Sequence, residues 1–162
     1  VETDLEALDA WDFVPFKALS DMPMAMTAHV VFTAVDARRP ATTSKKGIRL
    51  MREHLGFSGL IRSDDLSMKA LSGTLTQRAE QSLKAGCDVI LHCNGDLDEM
   101  RQVAEGTGKL KGEAKRRAEA SLARIVHAVE PLDVAEARAR LEAALSGRFE
   151  AAKGPDVGEA QA

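Results

Sequence analysis

Two carboxylates stand side by side where an apolar run gives out, in Leu60-Ile61-Arg62-Ser63-Asp64-Asp65-Leu66-Ser67-Met68-Lys69-Ala70. In parallel α/β sheets, chemistry collects at the carboxyl ends of strands, where a rigid strand can hold an acid against a ligand. The two cannot be the opposed pair of a glycosidase. Neighbouring strand side chains point to opposite faces, whereas retaining glycoside hydrolysis sets its two groups about 5 Å apart across one bond. One aspartate is therefore expected to face a pocket. The other is expected to serve the loop or the next helix start, where unpaired backbone N–H groups favour a carboxylate. On pattern alone both could instead be turn and cap residues.

The elements that must position this pair follow from hydrophobic spacing. Three apolar segments have the length of buried strands: Met24 to Phe32, Gly59 to Ser63 and Cys87 to His92. Ser44 to Leu55 has Ile48, Met51 and Leu55 on one helical face with Gly56 as stop, and Thr42-Thr43-Ser44 supplies an N-cap. Leu75 to Ala85 has Leu75, Ala79 and Leu83 in register with Gly86 as stop. Strands recurring at roughly 30 residues are βαβ units, so the sheet is parallel. Before it, Leu5 to Leu19 is a helix interrupted or restarted near Pro15. After it come two helices, about Glu113 to Val129 (Ala118, Leu122, Ile125 and Val129 on one face, with Pro131 ending it) and about Val134 to Leu145. The spacing fits a small open α/β domain or the last stretch of a barrel.

Bulk properties exclude some classes. The chain has 162 residues, 44% of them apolar and 29% charged, with a formal net charge of −3. That balance argues against a polyanion- or membrane-binding surface, so neither nucleic acid nor membrane is an expected partner. No apolar run approaches the roughly 20 residues of a membrane helix. The opening Val1-Glu2-Thr3-Asp4 has neither initiator Met nor signal pattern, so the native protein is expected to start upstream. Cys87 and Cys93 flank a strand that separates them by roughly 20 Å, too far for a disulfide. They are expected to be two buried free thiols, which suits a reducing compartment.

The segment Ser63-Asp64-Asp65-Leu66-Ser67-Met68 resembles the nucleophile motif of bacterial β-N-acetylglucosaminidases of glycoside hydrolase family 3. In that family the first aspartate after the Ser/Thr is the nucleophile, the position of Asp64 here. Upstream, Met26-Thr27-Ala28-His29-Val30-Val31-Phe32 is similar to a family strand, followed here too by an Asp-, Arg- and Pro-containing loop (Asp36 to Pro40). Downstream, Ala85-Gly86-Cys87-Asp88-Val89-Ile90-Leu91-His92-Cys93-Asn94 resembles the family's last barrel strand. Leu55-Gly56-Phe57-Ser58-Gly59, leading into the nucleophile strand, also fits. Three ordered motifs over about residues 12–130 carry far more weight than any one of them.

The resemblance implies the C-terminal part of a (β/α)8 TIM-type barrel over 1–130; spacing and composition add a C-terminal helix over 131–149 and a flexible tail over 150–162. It implies a two-step retaining mechanism with Asp64 as nucleophile and a covalent glycosyl-enzyme. The implied activity is that of a β-N-acetylhexosaminidase. It would remove N-acetylglucosamine β-linked to anhydro-N-acetylmuramic acid in peptidoglycan fragments recycled in the cytoplasm, with no metal or organic cofactor. Met26, His29 and Ser63 are the implied substrate-binding residues. On composition alone Met26 is core, and His29 could be a packed histidine bonded to backbone.

One departure matters. The family's upstream Lys-His-Phe-Pro-Gly-His-Gly stretch and the Asp-Ser-His loop that carries its acid/base histidine are absent from this sequence. None of His29, His54, His92 or His127 has that context. His54 and His127 are expected to be solvated, and His92 with Cys93 lacks the second ligand pair of a metal site. The cluster Lys109, Lys111, Lys115, Arg116 and Arg117 alternates with Glu113 and Glu119 and is expected to be a solvated face. A missing acid/base costs typically about 10²–10⁴-fold. The chain alone is therefore expected to be inactive until joined by the missing N-terminal half of the barrel, and its open sheet edges invite pairing. A β-glucosidase-like member of the family and a non-catalytic carbohydrate-binding remnant are the alternatives.

Overall fold

The computed structural model describes residues 1–127 and 130–147. The expected tail at 150–162 and Val129 lie outside them. Contacts divide the chain into two units, Val1–Val126 and His127–Ala162.

The first unit is built on one parallel sheet of three strands in the order β1 (Met24–Met26), β2 (Leu60–Asp65) and β3 (Val89–Leu91). Parallel neighbours need a crossover. The first is α3 (Lys45–Arg49), continued by a wide turn over Leu50–His54 in which Leu55 N–H donates to Leu50 O at 3.0 Å. The second is α4 (Leu75–Ala85). Ser44 caps α3 by accepting from Gly47 N–H, as its sequence position predicts. α4 has the expected bounds. Thr74 and Gln77 form a reciprocal capping box, and Gly86 ends the helix at φ 119°, a conformation that favours glycine. Two short helices precede the sheet, α1 (Leu5–Ala7), extended by a wide turn over Leu8–Asp12, and α2 (Val14–Ala18), which restarts with Pro15 in its first turn.

Ala25 of β1 and Ile61 of β2 face the helices, where Ile48, Phe57, Ile61, Ala85 and Cys87 form one buried cluster. A second cluster joins Leu66, Leu71, Leu75, Ala79 and Val103, and Ile90 packs against both. One residue on, Met26 and Arg62 pair in register and alternate to the opposite face.

Three expectations are corrected. The apolar run Met24 to Phe32 is strand only through Met26. Beyond it the backbone bonds a neighbouring loop instead: Ala28 and Val30 carbonyls accept from Thr42 and Ala41 N–H, and Val31 O accepts from the Val1 ammonium. A helix absent from the sequence reading, α5 (Leu97–Thr107), follows β3, N-capped by Asp96. Gly106 weakens its helical signal, yet a Cβ there would lie 2.5 Å from Thr76 O of α4, so the close packing of α4 and α5 requires glycine. Finally, α6 (Gly112–Leu122) stops well short of Val129, its end tightening into three-residue turns. Cys87 is buried, but Cys93 is exposed. In the second unit, α7 (Val134–Leu145) has the expected bounds and is capped by Asp133.

Under the sheet lies a buried ionic hub. Asp88, whose side chain is 4% exposed, accepts from Arg52 at 2.7 Å, Arg117 at 2.8 Å and Ile61 N–H at 2.8 Å. Arg52 also donates to the carbonyls of Phe57 and Gly59. Arg117 therefore leaves the expected solvated face, while Arg116 stays exposed on Glu113. Removing one member of a buried pair leaves the other uncompensated. Asp88→Ala is expected to cost about 3–5 kcal/mol, and Arg116→Ala to stay within about 0.5 kcal/mol. Urea midpoints check both, and equal midpoints would contradict this role for Asp88.

Candidate active site

The end of β2 is irregular, and the irregularity makes the site. Between Arg62↔Val89 and Asp65↔Leu91 the pairing advances three residues on β2 against two on β3. Such a slip locally breaks the ladder and re-aims side chains. Here Ser63, fully buried, repairs the break: its hydroxyl oxygen accepts from Leu91 N–H at 2.9 Å. The hydroxyl implied by resemblance to meet a sugar thus also accepts a hydrogen bond from the sheet.

The two aspartates have separate duties. Asp65 serves the loop, as one of the pair was expected to do. Its Oδ1 accepts from Ser67 N–H at 3.0 Å and Cys93 N–H at 3.2 Å, and its Oδ2 from the Ser67 hydroxyl at 2.6 Å. Burial opposes the charge on Asp65, but the Ser67 hydroxyl, the Ser67 and Cys93 amides and nearby His92 outweigh it and hold the carboxyl below the ordinary aspartate value of 3.8. Asp64 is half-buried, and among the described residues its single hydrogen bond is from Asp65 N–H to Oδ1 at 2.8 Å.

The expected pocket beside Asp64 is not supplied by this chain's prominent concavities. A cavity of about 340 Å³ is lined by Met26 together with Phe16, Leu19, Phe32 and Met51, and another of about 610 Å³ by His92, Met100 and Val103. Asp64 lines neither.

His29 is tied on both sides. Asp65 O can only accept, so His29 Nε2 carries the proton it donates there at 2.9 Å. Nδ1 lies 2.8 Å from the Thr42 hydroxyl, which also bonds Ala28 O and Thr27. The other histidines do not converge on Asp64. His54 bonds Asp9 at 2.6 Å, so it is not simply solvated, and His92 bonds Glu99 at 2.8 Å. His127 is exposed in the second unit. The His92 and Asn94 hydrogen bonds hold the Glu99 carboxyl low. Cys87 is pushed up to about 12 by burial and by the Asp88 charge beside it, so its thiol stays neutral.

Sequence reasoning missed one supporting residue. Arg78, in the first turns of α4, donates to three carbonyls of the loop after the aspartates, Leu66 at 2.7 Å, Met68 at 3.0 Å and Gly73 at 3.0 Å. A single arginine on a helix carries no local signal of such a clamp.

Because the Asp65 pKa is depressed by folding, the bonds it accepts contribute above about pH 4 and are lost as pH falls through the depressed value. Carboxyl ¹³C titration is expected to place Asp65 below 3.8. Ser67→Ala, which deletes the hydroxyl donor, is expected to move it upward. No movement would remove Ser67 as the cause.

Comparison with known proteins gives a consistent picture. The model of "Glycosyl hydrolase family 3 N terminal domain" matches residues 1–128. A beta-hexosaminidase of Bordetella pertussis is 44% identical over 91 residues, 53% of this chain and 26% of that protein. One of Neisseria gonorrhoeae is 42% identical over 104 residues, 60% of this chain and 28% of that protein. The chain spans roughly a quarter of the length of these curated relatives. Among solved structures, native NagZ from Neisseria gonorrhoeae is 32% identical with a TM-score of 0.60, covering 78% of this chain and 39% of that one. The beta-N-acetylglucosaminidase from Thermotoga maritima is 29% identical with a TM-score of 0.62, covering 76% and 30%. The three parallel strands with their helices match part of the domain of such enzymes.

Proposed function

The chain belongs to glycosyl hydrolase family 3, and from that membership we propose that it carries the nucleophile strand of a retaining β-N-acetylhexosaminidase, with Asp64 as the nucleophile. The observation that supports this most directly is the division of labour in the aspartate pair. Asp65 is consumed by its loop, while Asp64 keeps Oδ2 without a partner among the described residues, at the carboxyl end of a strand.

In the first step an Asp64 oxygen bonds the anomeric carbon, the glycosidic C–O bond breaks, and its electron pair leaves on the aglycone oxygen, which takes a proton from an acid. Water then displaces Asp64 and returns a proton to that same group. In this reading the proton carrier and the far wall of the pocket come from the remaining strands of a (β/α)8 barrel, since the histidines of the first unit hold other partners. The substrate is a terminal β-linked N-acetylglucosamine on a peptidoglycan fragment, and a reducing cytoplasm suits the two free thiols. Met26, exposed at the carboxyl end of β1 beside the nucleophile strand, is the sugar-facing candidate from this chain.

The chain alone is expected to turn over an aryl N-acetylglucosaminide negligibly. Joined to strands that complete the barrel, it is expected to form a covalent adduct with a 5-fluoro N-acetylglucosaminide, seen as a mass shift on the peptide that contains Asp64. Asp64→Asn should abolish the adduct. Undiminished labelling of that variant would remove Asp64 from its role.

A further inference from the structure

Every polar atom of Asp65 is engaged, and each bond leads to a different part of the site. Its N–H donates to Asp64 Oδ1 at 2.8 Å. Its carbonyl accepts from His29 Nε2, which belongs to the segment after β1. Its carboxylate accepts from Cys93 N–H, beyond β3, and from the N–H and hydroxyl of Ser67 in its own loop. The residue thus bridges the ends of all three strands and passes one bond to its neighbour.

We infer that Asp65 is a positioning residue for Asp64, locked by His29 and by the Cys93 N–H so that Asp64 Oδ1 is anchored and Oδ2 is the oxygen that attacks. The inference rests on Asp64 being the nucleophile. The physical reason is geometric. A carboxylate on a two-torsion side chain samples several rotamers unless one oxygen is held, and a nucleophile displaced by about 1 Å loses on the order of 100-fold in rate. The Asp65 N–H can hold that oxygen only if its own peptide is fixed. His29 fixes the peptide at the carbonyl, with its ring oriented through Nδ1 by Thr42. Cys93 and Ser67 fix the side chain. His29 therefore acts through Asp65, without needing to touch sugar.

The test uses the completed barrel and reads two quantities. The first is the Asp64 χ1 rotamer, from three-bond couplings in labelled protein. The second is the split between kcat and KM. In the parent protein Asp64 is expected to occupy one rotamer. Asp65→Ala and His29→Ala are expected to populate a second rotamer and to lower kcat about 10- to 100-fold, with KM moving less than about threefold. The conservative variants should recover part of the loss. The Asp65→Asn amide oxygen can still accept from the Ser67 and Cys93 amides, and the His29→Gln amide can still donate to the Asp65 carbonyl. Should Asp65→Ala not melt cooperatively, the His29 pair decides. Asp64 held in one rotamer, with kcat within about twofold of the parent in both alanine variants, would overturn the inference while leaving the nucleophile in place. Labelling of Asp64→Asn would instead overturn the nucleophile, and the rotamer measurement would then decide the role of Asp65 alone.

Discussion

A one-residue slip between β2 and β3 governs the site. Three residues of β2 face two of β3, so the regular exchange of backbone hydrogen bonds fails just where the strand ends. An unpaired N–H buried in a sheet costs about 1–3 kcal/mol. The chain answers with a side chain, Ser63, which accepts from Leu91 N–H. Just past the end of β3, Asp65 accepts from the N–H of the exposed Cys93. Asp64, lying between them, is the member of the trio free to present an oxygen outward.

The opposite ends of the strands follow a different logic. Near their amino ends, Asp88 gathers two arginines and the Ile61 N–H in a buried hub. Burying a charge is unfavourable unless partners and hydrogen bonds replace water, and here Arg52 meets that demand further by holding Phe57 and Gly59 carbonyls. The hub ties α6 and the turn before β2 to the sheet at the end away from Asp64. Rigid ionic packing at one end and a partly open carboxylate at the other is the arrangement parallel α/β sheets use to separate stability from chemistry.

What the sequence could convey divides along physical lines. α4 was legible to the residue because its signals are local: apolar positions at helical spacing, a cap before it and Gly86 after it. β2 was legible because its apolar run ends in charges. β1 was overdrawn because Val30 to Phe32 look like strand, while their backbone partners, the loop at Ala41 and Thr42 and the Val1 terminus, are choices made in three dimensions. α5 was missed because Gly106 depresses helix propensity for the sake of contact with α4. Among the site residues, the expectation that one aspartate of the pair serves its loop describes Asp65, while Asp64 lines neither of the two cavities described. The Arg78 clamp, the His29 bond to Asp65 O and the Ser63 bond to Leu91 join residues 12, 36 and 28 apart, and no periodic pattern reports such pairings.

The bonds that orient Asp64 all close within the stretch from Thr27 to Cys93. This has a consequence for how the reaction chemistry is distributed. A nucleophile needs orientation, and orientation here comes from short-range hydrogen bonds among three adjacent strand ends. A proton carrier must stand about 5 Å from the nucleophile, across the scissile bond, and the histidines among these three strand ends hold other partners. In the proposed mechanism the second group comes from the remaining strands of the barrel. The two requirements pull the machinery into separate parts of the fold. In the proposed mechanism this chain holds the part in which geometry is set locally, with Asp64 Oδ1 anchored by the Asp65 N–H.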